Sequence, residues 1–440
     1  MKKWGFLFQK NMEIEQLHRL FEQHPHISTD TRKIIPNSIF FALKGANFNG
    51  NQFAVQALKS GAAYAVIDEV PAEKNERLIE VKDSLKCLQQ LAAFHRKKLG
   101  TPILAITGTN GKTTTKELTA AVLSMKYKLC FTQGNLNNHI GVPLTLLQMD
   151  SSTEMAVIEM GANHPGEIDA LCQIAAPDFG LITNVGKAHL EGFGSFEGVV
   201  QTKTELYRFL KTKNGKCFVN AGDPVLNDQA KELDHISYGK SGDIFMQGEP
   251  ASTDYFVVAK VLFPKGWLYL KSKLIGSYNF DNILAAACIG HYFQVDPLLI
   301  QKAIENYTPS NNRSQLIETG ANKIIMDAYN ANPTSMMASL HNFISIRHPQ
   351  KVLILGDMLE LGQESESEHQ KIVDFISENE FEQVFLVGKN FSKTSDRQKT
   401  KKFDNAELLT DYLTKQPLEN KLILIKGSRG ISLEKTLGNL

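Results

Sequence analysis

The stretch Ala105-Ile-Thr-Gly-Thr-Asn-Gly-Lys-Thr-Thr-Thr-Lys116, entered from the apolar run Pro102-Ile103-Leu104, constrains the fold more than any other part of the chain. Ile103 to Thr107 has the composition of a buried strand. Gly108 and Gly111 punctuate it, and Lys112 to Met125 can continue as a helix with Leu118, Val122 and Met125 on one face. A strand, a glycine turn and a helix in that order form a phosphate-binding loop. Glycine lets the backbone approach an oxyanion, the first helical amides supply donors and a positive dipole end, Lys112 adds a point charge, and Thr113 can offer its hydroxyl to Mg²⁺. The expected ligand is a nucleoside triphosphate, cradled by Gly108, Thr109, Asn110, Gly111, Lys112, Thr113 and Thr114. An ordinary loop of this kind has a further glycine where this chain has Ile106.

At 440 residues, two or three domains are expected, each large enough to bury its own core. A formal net charge of +1 gives no electrostatic case for nucleic acid or an anionic membrane, which leaves small molecules as the expected partners. Cys87, Cys130, Cys172, Cys217 and Cys288 are widely spaced and form no Cys-x-x-Cys pair. They indicate neither a disulfide framework nor a zinc site, and a reducing cytoplasm is the expected compartment. The apolar run Trp4 to Phe8 is too short for a signal peptide, and no run long enough to span a bilayer occurs. Met12 begins a better helix, so residues 1–11 read either as an extension or as a mis-called start.

The first hundred residues read as a small α/β unit with strands at Ser38–Leu43 and Ala63–Ile67 and helices at Phe53–Ser60 and Ser84–Lys98. A boundary falls near residue 100. The central segment, 101–309, continues from the phosphate loop through strands Met155–Gly161, Phe179–Asn184, Lys216–Asn220, Tyr255–Val261 and Trp267–Leu270, with helices at Phe196–Leu210 and Asn282–Tyr292. Tyr307 to Asn312 reads as a linker. From 310 to 440, strands (Lys323–Ala328, Val352–Gly356, Val384–Val387, Leu422–Lys426) alternate with helices (Pro333–Ile346, Glu368–Ser377, Ala406–Thr414), the pattern of a parallel doubly wound, Rossmann-like sheet. The fold class is therefore α/β in three domains.

Two further stretches attract attention. Glu159 is a carboxylate near the carboxyl end of an apolar strand, where it needs an ion pair or a metal; beside a phosphate loop, metal ligation is the favoured reading. Thr132 to Pro143 is too rich in glycine and asparagine for a regular element. The amides of Asn135, Asn137 and Asn138 suit either a bound polar substrate or a structural loop.

The compact loop Gly108-Thr-Asn-Gly-Lys-Thr113 resembles the form shared by the Mur ligases of peptidoglycan synthesis and the folylpolyglutamate synthases, and matching segments run from about Ser28 to Arg429. Thr132–Pro143, Asp327-Ala-Tyr-Asn-Ala-Asn-Pro333, Gly356-Asp-Met-Leu-Glu-Leu-Gly362 and Lys426-Gly-Ser-Arg429 resemble the branch of the Mur ligases that adds D-Ala-D-Ala, and the Asp-Asn-Pro-Arg of the diaminopimelate-adding branch is absent.

The resemblance implies an ATP-binding central domain, with Lys112 on the β- and γ-phosphates and two Mg²⁺ ions. One ion would be held by Thr113, the other with help from Glu159, His189 and Lys203, the last as a carbamate formed with CO₂. Asn282, Asp327 and Tyr329 would contact adenosine, and Arg313 would reach the phosphates. Ser28, Arg32, Lys44, Gly45 and Asn49 would hold the uridine nucleotide, with Asn135, Asn137, Asn138 and Asn330 also on the substrate side. Asn49-Gly50-Asn51 stands where many relatives have Asp-Gly-His, and Ser310-Asn311-Asn312 where a glycine is more usual.

The implied reaction joins D-Ala-D-Ala to UDP-MurNAc-tripeptide through an acyl phosphate, in a monomeric cytoplasmic enzyme that neither binds nucleic acid nor inserts into a membrane. A folylpolyglutamate synthase would leave the first hundred residues without a task. A GTPase switch would need Asn-Lys-x-Asp and Asp-x-x-Gly, and neither occurs. A catalytically dead scaffold is disfavoured because Lys112, Glu159, His189 and Lys203 are all present.

Overall fold

The computed structural model describes residues 13–71, 75–251, 255–310, 312–395 and 400–440. The suggested extension at residues 1–11, Met12 and Asn311 lie outside the described residues. By contact density the chain divides into two compact units, Met1–Ala105 with Tyr127–Gly161 and Glu167–Gly180, and Ile106–Lys126 with Ala162–Gly166 and Leu181–Leu440.

In the first unit the short apolar strands form a parallel sheet in the order Ile27–Ser28, Ile39–Phe41, Tyr64–Ile67, Leu78–Glu80. Phe40, Ala65 and Ile67 from this sheet pack against Ala54, Ala57 and Leu58 of the helix Ala54–Lys59. The helix Ser84–Leu99 starts where the Asp83 carboxylate accepts from the Lys86 amide at 2.8 Å and stops at Gly100, whose φ of 67° only glycine adopts freely. A second sheet portion in this unit runs Phe179–Ile182, Ile103–Thr107, Met155–Glu159, Leu129–Phe131, with the last two parallel. Leu129–Phe131 and the short helix Gly141–Leu146 flank the asparagine-rich stretch, so regular structure reaches into the region read as wholly irregular.

Strands Ile103–Thr107 and Phe179–Ile182 contribute residues to both units. In the second unit they begin a sheet that continues through Lys216–Asn220, Asp234–Gly239, Met246–Ala251, Phe256–Phe263 and Gly266–Ile275. The pairing is parallel as far as Met246–Ala251 from Lys216–Asn220, then antiparallel. Helix Lys112–Leu123 follows the phosphate loop, and helix Asn279–Tyr292 is apolar on nearly every side because it is buried throughout its middle.

The stretch expected as one helix, Phe196–Leu210, is two: Phe196–Lys203 and Glu205–Thr212. Thr204 at the break has ψ 0°, and its hydroxyl donates to the carbonyls of Val200 at 2.8 Å and Gln201 at 3.2 Å, an internal competition that bends helices.

The C-terminal sheet runs Gln315–Glu318, Lys323–Asp327, Leu422–Lys426, Lys351–Gly356, Gln383–Val387, Lys401–Phe403. All pairs are parallel except the first, which adds an antiparallel edge to the expected doubly wound sheet. Its central strand sends Leu353 and Leu355 into one buried cluster and Val352 and Ile354 into the other, so helices cover both faces.

Candidate active site

The phosphate loop lies between strand Ile103–Thr107 and helix Lys112–Leu123, with Gly111 as the N-cap residue. Its two glycines are required by geometry. Gly108 has φ +139° and Gly111 φ +78°; a Cβ on Gly108 would stand 2.1 Å from Thr183 Oγ1, and one on Gly111 2.6 Å from Asn282 Oδ1. The loop is held in shape by the segment after strand Phe179–Ile182. Thr183 Oγ1 donates to the Asn110 carbonyl at 2.6 Å, Asn184 Nδ2 donates to the same oxygen at 3.0 Å, and the Asn110 amide donates to Asn184 Oδ1 at 3.0 Å. Thr109 closes the frame, its amide donating to the Asn184 carbonyl at 2.9 Å and its hydroxyl accepting from the Gly186 amide at 3.0 Å. Lys112 Nζ donates to the loop carbonyls of Gly108 at 2.7 Å and Thr109 at 3.0 Å, so its charge sits over the cradle. Thr113 and Thr114 are buried at the helix start, and Asn282 accepts from the buried Thr115 hydroxyl at 3.0 Å.

Lys112 and Lys203 are each near enough to His189 to act on it electrostatically. Burial holds the His189 imidazole below its ordinary pKa, the Glu360 carboxylate against Nδ1 opposes this, and the two lysines add to the depression. Lys203, only 2% exposed, donates to the Ala162 carbonyl at 3.2 Å and lies 5.1 Å from the centre of the Phe193 ring.

Three motifs of the C-terminal segment meet: Lys426–Arg429 touches Asp327–Pro333 through Lys426 and Asp327, and Gly356–Gly362 through the Leu359 amide, which donates to Ser428 Oγ at 2.9 Å. Asp327 accepts from Lys426 Nζ at 2.6 Å, the Ser339 hydroxyl at 2.9 Å and the Ser314 amide at 3.3 Å. Tyr329 is flanked by guanidinium groups, Arg313 at 3.6 Å and Arg429 at 5.4 Å from the ring centre. Asn330 is exposed, its Oδ1 accepting from the Ala331 amide. Asn332, which carried no role on sequence grounds, caps helix Pro333–Ser345 and donates from Nδ2 to Asn110 Oδ1 at 2.8 Å, tying this segment to the phosphate loop. Sequence reasoning also passed over Thr183 and Glu360. Membership of a polar cluster after a strand was the available signal for the first, and the Gly356–Gly362 motif for the second.

In the first unit, Glu159 is 1% exposed and accepts from Asn137 Nδ2 at 2.7 Å, so the asparagine-rich stretch lies directly on this carboxylate. The Asn138 side chain accepts from the amides of Ile140 and Gly141 and starts the helix there, while Asn135 is exposed. Lys44–Gly45 pairs antiparallel with Phe48–Asn49, and Lys44 and Asn49 share a polar cluster with Asn51 and with Asp68 and Glu69, two acidic partners that were not anticipated. Ser28 is buried against the Ser38 hydroxyl, and Arg32 forks onto Asp30.

The donor chemistry fits Mg²⁺. Thr113 supplies a hydroxyl oxygen at the helix start beside the phosphate cradle, and among the described residues no group of three or more His, Cys, Asp or Glu forms a dedicated metal cage. A cation shared with substrate phosphates needs only one or two protein oxygens. Lys203 as an ammonium cannot ligate a metal, whereas its carbamate could. No helix among the described residues is long and apolar enough to cross a membrane.

The chain matches family models described as the Mur ligase catalytic domain over residues 25–96, the Mur ligase middle domain over 106–290, and the Mur ligase glutamate ligase domain over 312–429. It is 36% identical over 433 residues to the UDP-N-acetylmuramoyl-tripeptide–D-alanyl-D-alanine ligase of Bacillus subtilis, covering 94% of this chain and 92% of that one. Among solved structures, a MurF from Acinetobacter baumannii superposes with a TM-score of 0.84 at 31% identity, covering 94% and 92% of the two chains. The MurF ligase of Thermotoga maritima in complex with ADP gives 0.83 at 25% identity, covering 95% and 97%. With the phosphate loop, its asparagine brace and the three C-terminal motifs in place, the chain belongs to the Mur ligase family.

Proposed function

We infer that the protein is an ATP-dependent ligase that adds D-alanyl-D-alanine to UDP-MurNAc-tripeptide. The observation that carries this reading is the braced loop Gly108–Thr113, with Lys112 over it and Asn332 of the Asp327–Pro333 motif hydrogen-bonded to Asn110. Relatives over nearly the whole chain that bear this activity in their names support it.

A terminal carboxylate of the tripeptide attacks the γ-phosphorus of ATP, the β–γ bridging bond breaks and ADP leaves. The amine of D-Ala-D-Ala then attacks the acyl phosphate carbonyl, loses a proton, and expels inorganic phosphate. Attack of an anion on a polyanion needs charge neutralisation. The loop amides, the helix dipole and Lys112 provide it from this chain, and Mg²⁺ at Thr113 supplies further positive charge when bound. His189 and Lys203, the latter as a carbamate, are proposed to hold a second ion, and Glu159 keeps the metal-ligand role expected from its position. Asn282, Arg313, Asp327 and Tyr329 are proposed nucleotide contacts, and the Lys44–Asn49 ribbon with Ser28 and Arg32 a uridine contact. The division near residues 100 and 310, a monomeric state and a cytoplasmic location belong to the same proposal.

The experiment is phosphate release from ATP and Mg²⁺ with UDP-MurNAc-tripeptide, with and without D-Ala-D-Ala. Release that needs both, with pentapeptide product by mass, is the expected result. Release that ignores D-Ala-D-Ala and responds to another amino acid overturns the acceptor assignment.

A further inference from the structure

The segment Gly356–Gly362 is given no chemical role in the reading above, yet it is tied at several points to the C-terminal sheet. The Asp357 carboxylate accepts from the amides of Asn390 at 2.8 Å and Phe391 at 2.9 Å, the Met358 amide donates to His369 Nε2 at 3.0 Å, and the Leu359 amide donates to Ser428 Oγ at 2.9 Å. This anchoring presents Glu360 at the tip, with its carboxylate in ion-pair contact with the buried Nδ1 of His189, which makes no aligned hydrogen bond in this arrangement. The flanks of the contact are also joined: Lys187 Nζ donates to Glu368 at 3.3 Å, and a Cβ built on Gly362 would lie 3.4 Å from Glu191 Cβ. Both residues of the central contact have left-handed backbone, His189 with φ 51° and Glu360 with φ 63°. Side-chain-bearing residues hold that conformation only where the surroundings over-determine it. A chance surface ion pair requires neither two such residues nor an anchored loop.

We propose that Glu360 is a positioning residue for His189: a small turn of the ring aligns Nδ1–H with the adjacent carboxylate, which then accepts that proton, fixes the ring's orientation, and leaves the Nε2 lone pair to face a cation. Ligating histidines commonly donate their other ring N–H to a carboxylate, which sets the tautomer and raises ligand basicity. Here that carboxylate comes from the C-terminal sheet, so His189 is presented correctly only while that segment is docked. The inference rests on the proposed role of His189 as a cation ligand.

The test uses the full chain with ¹⁵N-labelled histidine, and the His189 signals are assigned by their loss in His189→Asn. Wild type should show a protonated Nδ1 and an unprotonated Nε2. Glu360→Ala should mix the tautomers and weaken Mn²⁺ binding in the presence of ADP, read by electron paramagnetic resonance, by about tenfold to a hundredfold. Glu360→Gln, whose amide oxygen still accepts, should keep the wild-type tautomer and lose less affinity. An unmoved tautomer and unchanged Mn²⁺ affinity in Glu360→Ala, with His189→Asn impaired, overturns this inference and spares the ligand assignment. Wild-type Mn²⁺ binding by His189→Asn overturns both.

Discussion

Substitution of Gly108 by alanine tests the phosphate loop most directly, because the structure sets the magnitude. At φ +139° an L residue is strained by about 1–3 kcal/mol. The new Cβ would also stand 2.1 Å from Thr183 Oγ1, the atom that donates to the Asn110 carbonyl at 2.6 Å. Pushing that hydroxyl aside removes a hydrogen bond worth about 1 kcal/mol, for a total of about 2–4 kcal/mol. If the loop keeps its shape, the penalty falls on folding; if it relaxes, nucleotide binding must restore it and affinity drops by about 30-fold to about 1,000-fold. Isothermal titration with ADP and denaturant unfolding of the same variant measure the two shares, whose sum should match the total. Thr183→Ala in the Gly108→Ala background should recover only part, because the next obstacles are the Thr183 amide at 3.0 Å and the Asn184 carbonyl at 3.1 Å, both backbone. A Gly108→Ala protein with wild-type stability and wild-type ADP affinity would refute the reasoning.

Three other outcomes are expected. Asn332→Ser retains a good helix N-cap but cannot reach Asn110, so ADP affinity should fall by a few-fold while helix stability changes by only a few tenths of a kcal/mol; unchanged ADP affinity would show that Asn332 is only a cap. Lys203→Ala should abolish turnover, with partial recovery by added acetate, and wild type should trap ¹³C-labelled CO₂ on Lys203; full activity in the variant excludes the carbamate role.

The third concerns acid stability. His95 Nε2 donates to the Met149 carbonyl at 2.8 Å, so His95 Nδ1 accepts from His18 Nε2 at 3.0 Å and this arrangement requires a neutral His95. Burial holds both pKa values below 6.5, with Glu22 partly opposing this, so the unfolded chain binds protons that the folded chain refuses. Stability is therefore full above about pH 6.5 and lost as pH falls from there toward the folded values, by up to about 1.4 kcal/mol per pH unit per ring. The slope of unfolding free energy between pH 7.5 and 5.5 should shrink in a His18→Phe/His95→Leu variant, and an unchanged slope would assign the acid sensitivity elsewhere.

Local chemistry made much of this protein legible from residues alone. The phosphate loop is contiguous, its glycines are needed for backbone reasons, and the strand and helix that present it are its immediate neighbours. Alternating apolar runs likewise mark the C-terminal strands, because a strand buried on both faces has little room for polar side chains. Thr204 splits a continuous helical pattern through a side-chain hydrogen bond that periodicity does not register.

The rest depends on pairs far apart in the chain. Asn332 meets Asn110 across 222 positions, and neither asparagine carries a mark of the other. The Gly356–Gly362 motif marked the segment of Glu360 but not its partner, which became His189 only when the sheet placed it there, and Asp68 and Glu69 became partners of Lys44 and Asn49 only when the first sheet formed. Sequence by itself marked the glycine loop between a strand and a helix and most of the strands and helices of the C-terminal sheet, because those are short-range steric and burial constraints. Only the tertiary structure decided which side chains hold that loop and orient that histidine, because a hydrogen bond depends on distance in space and leaves no local pattern.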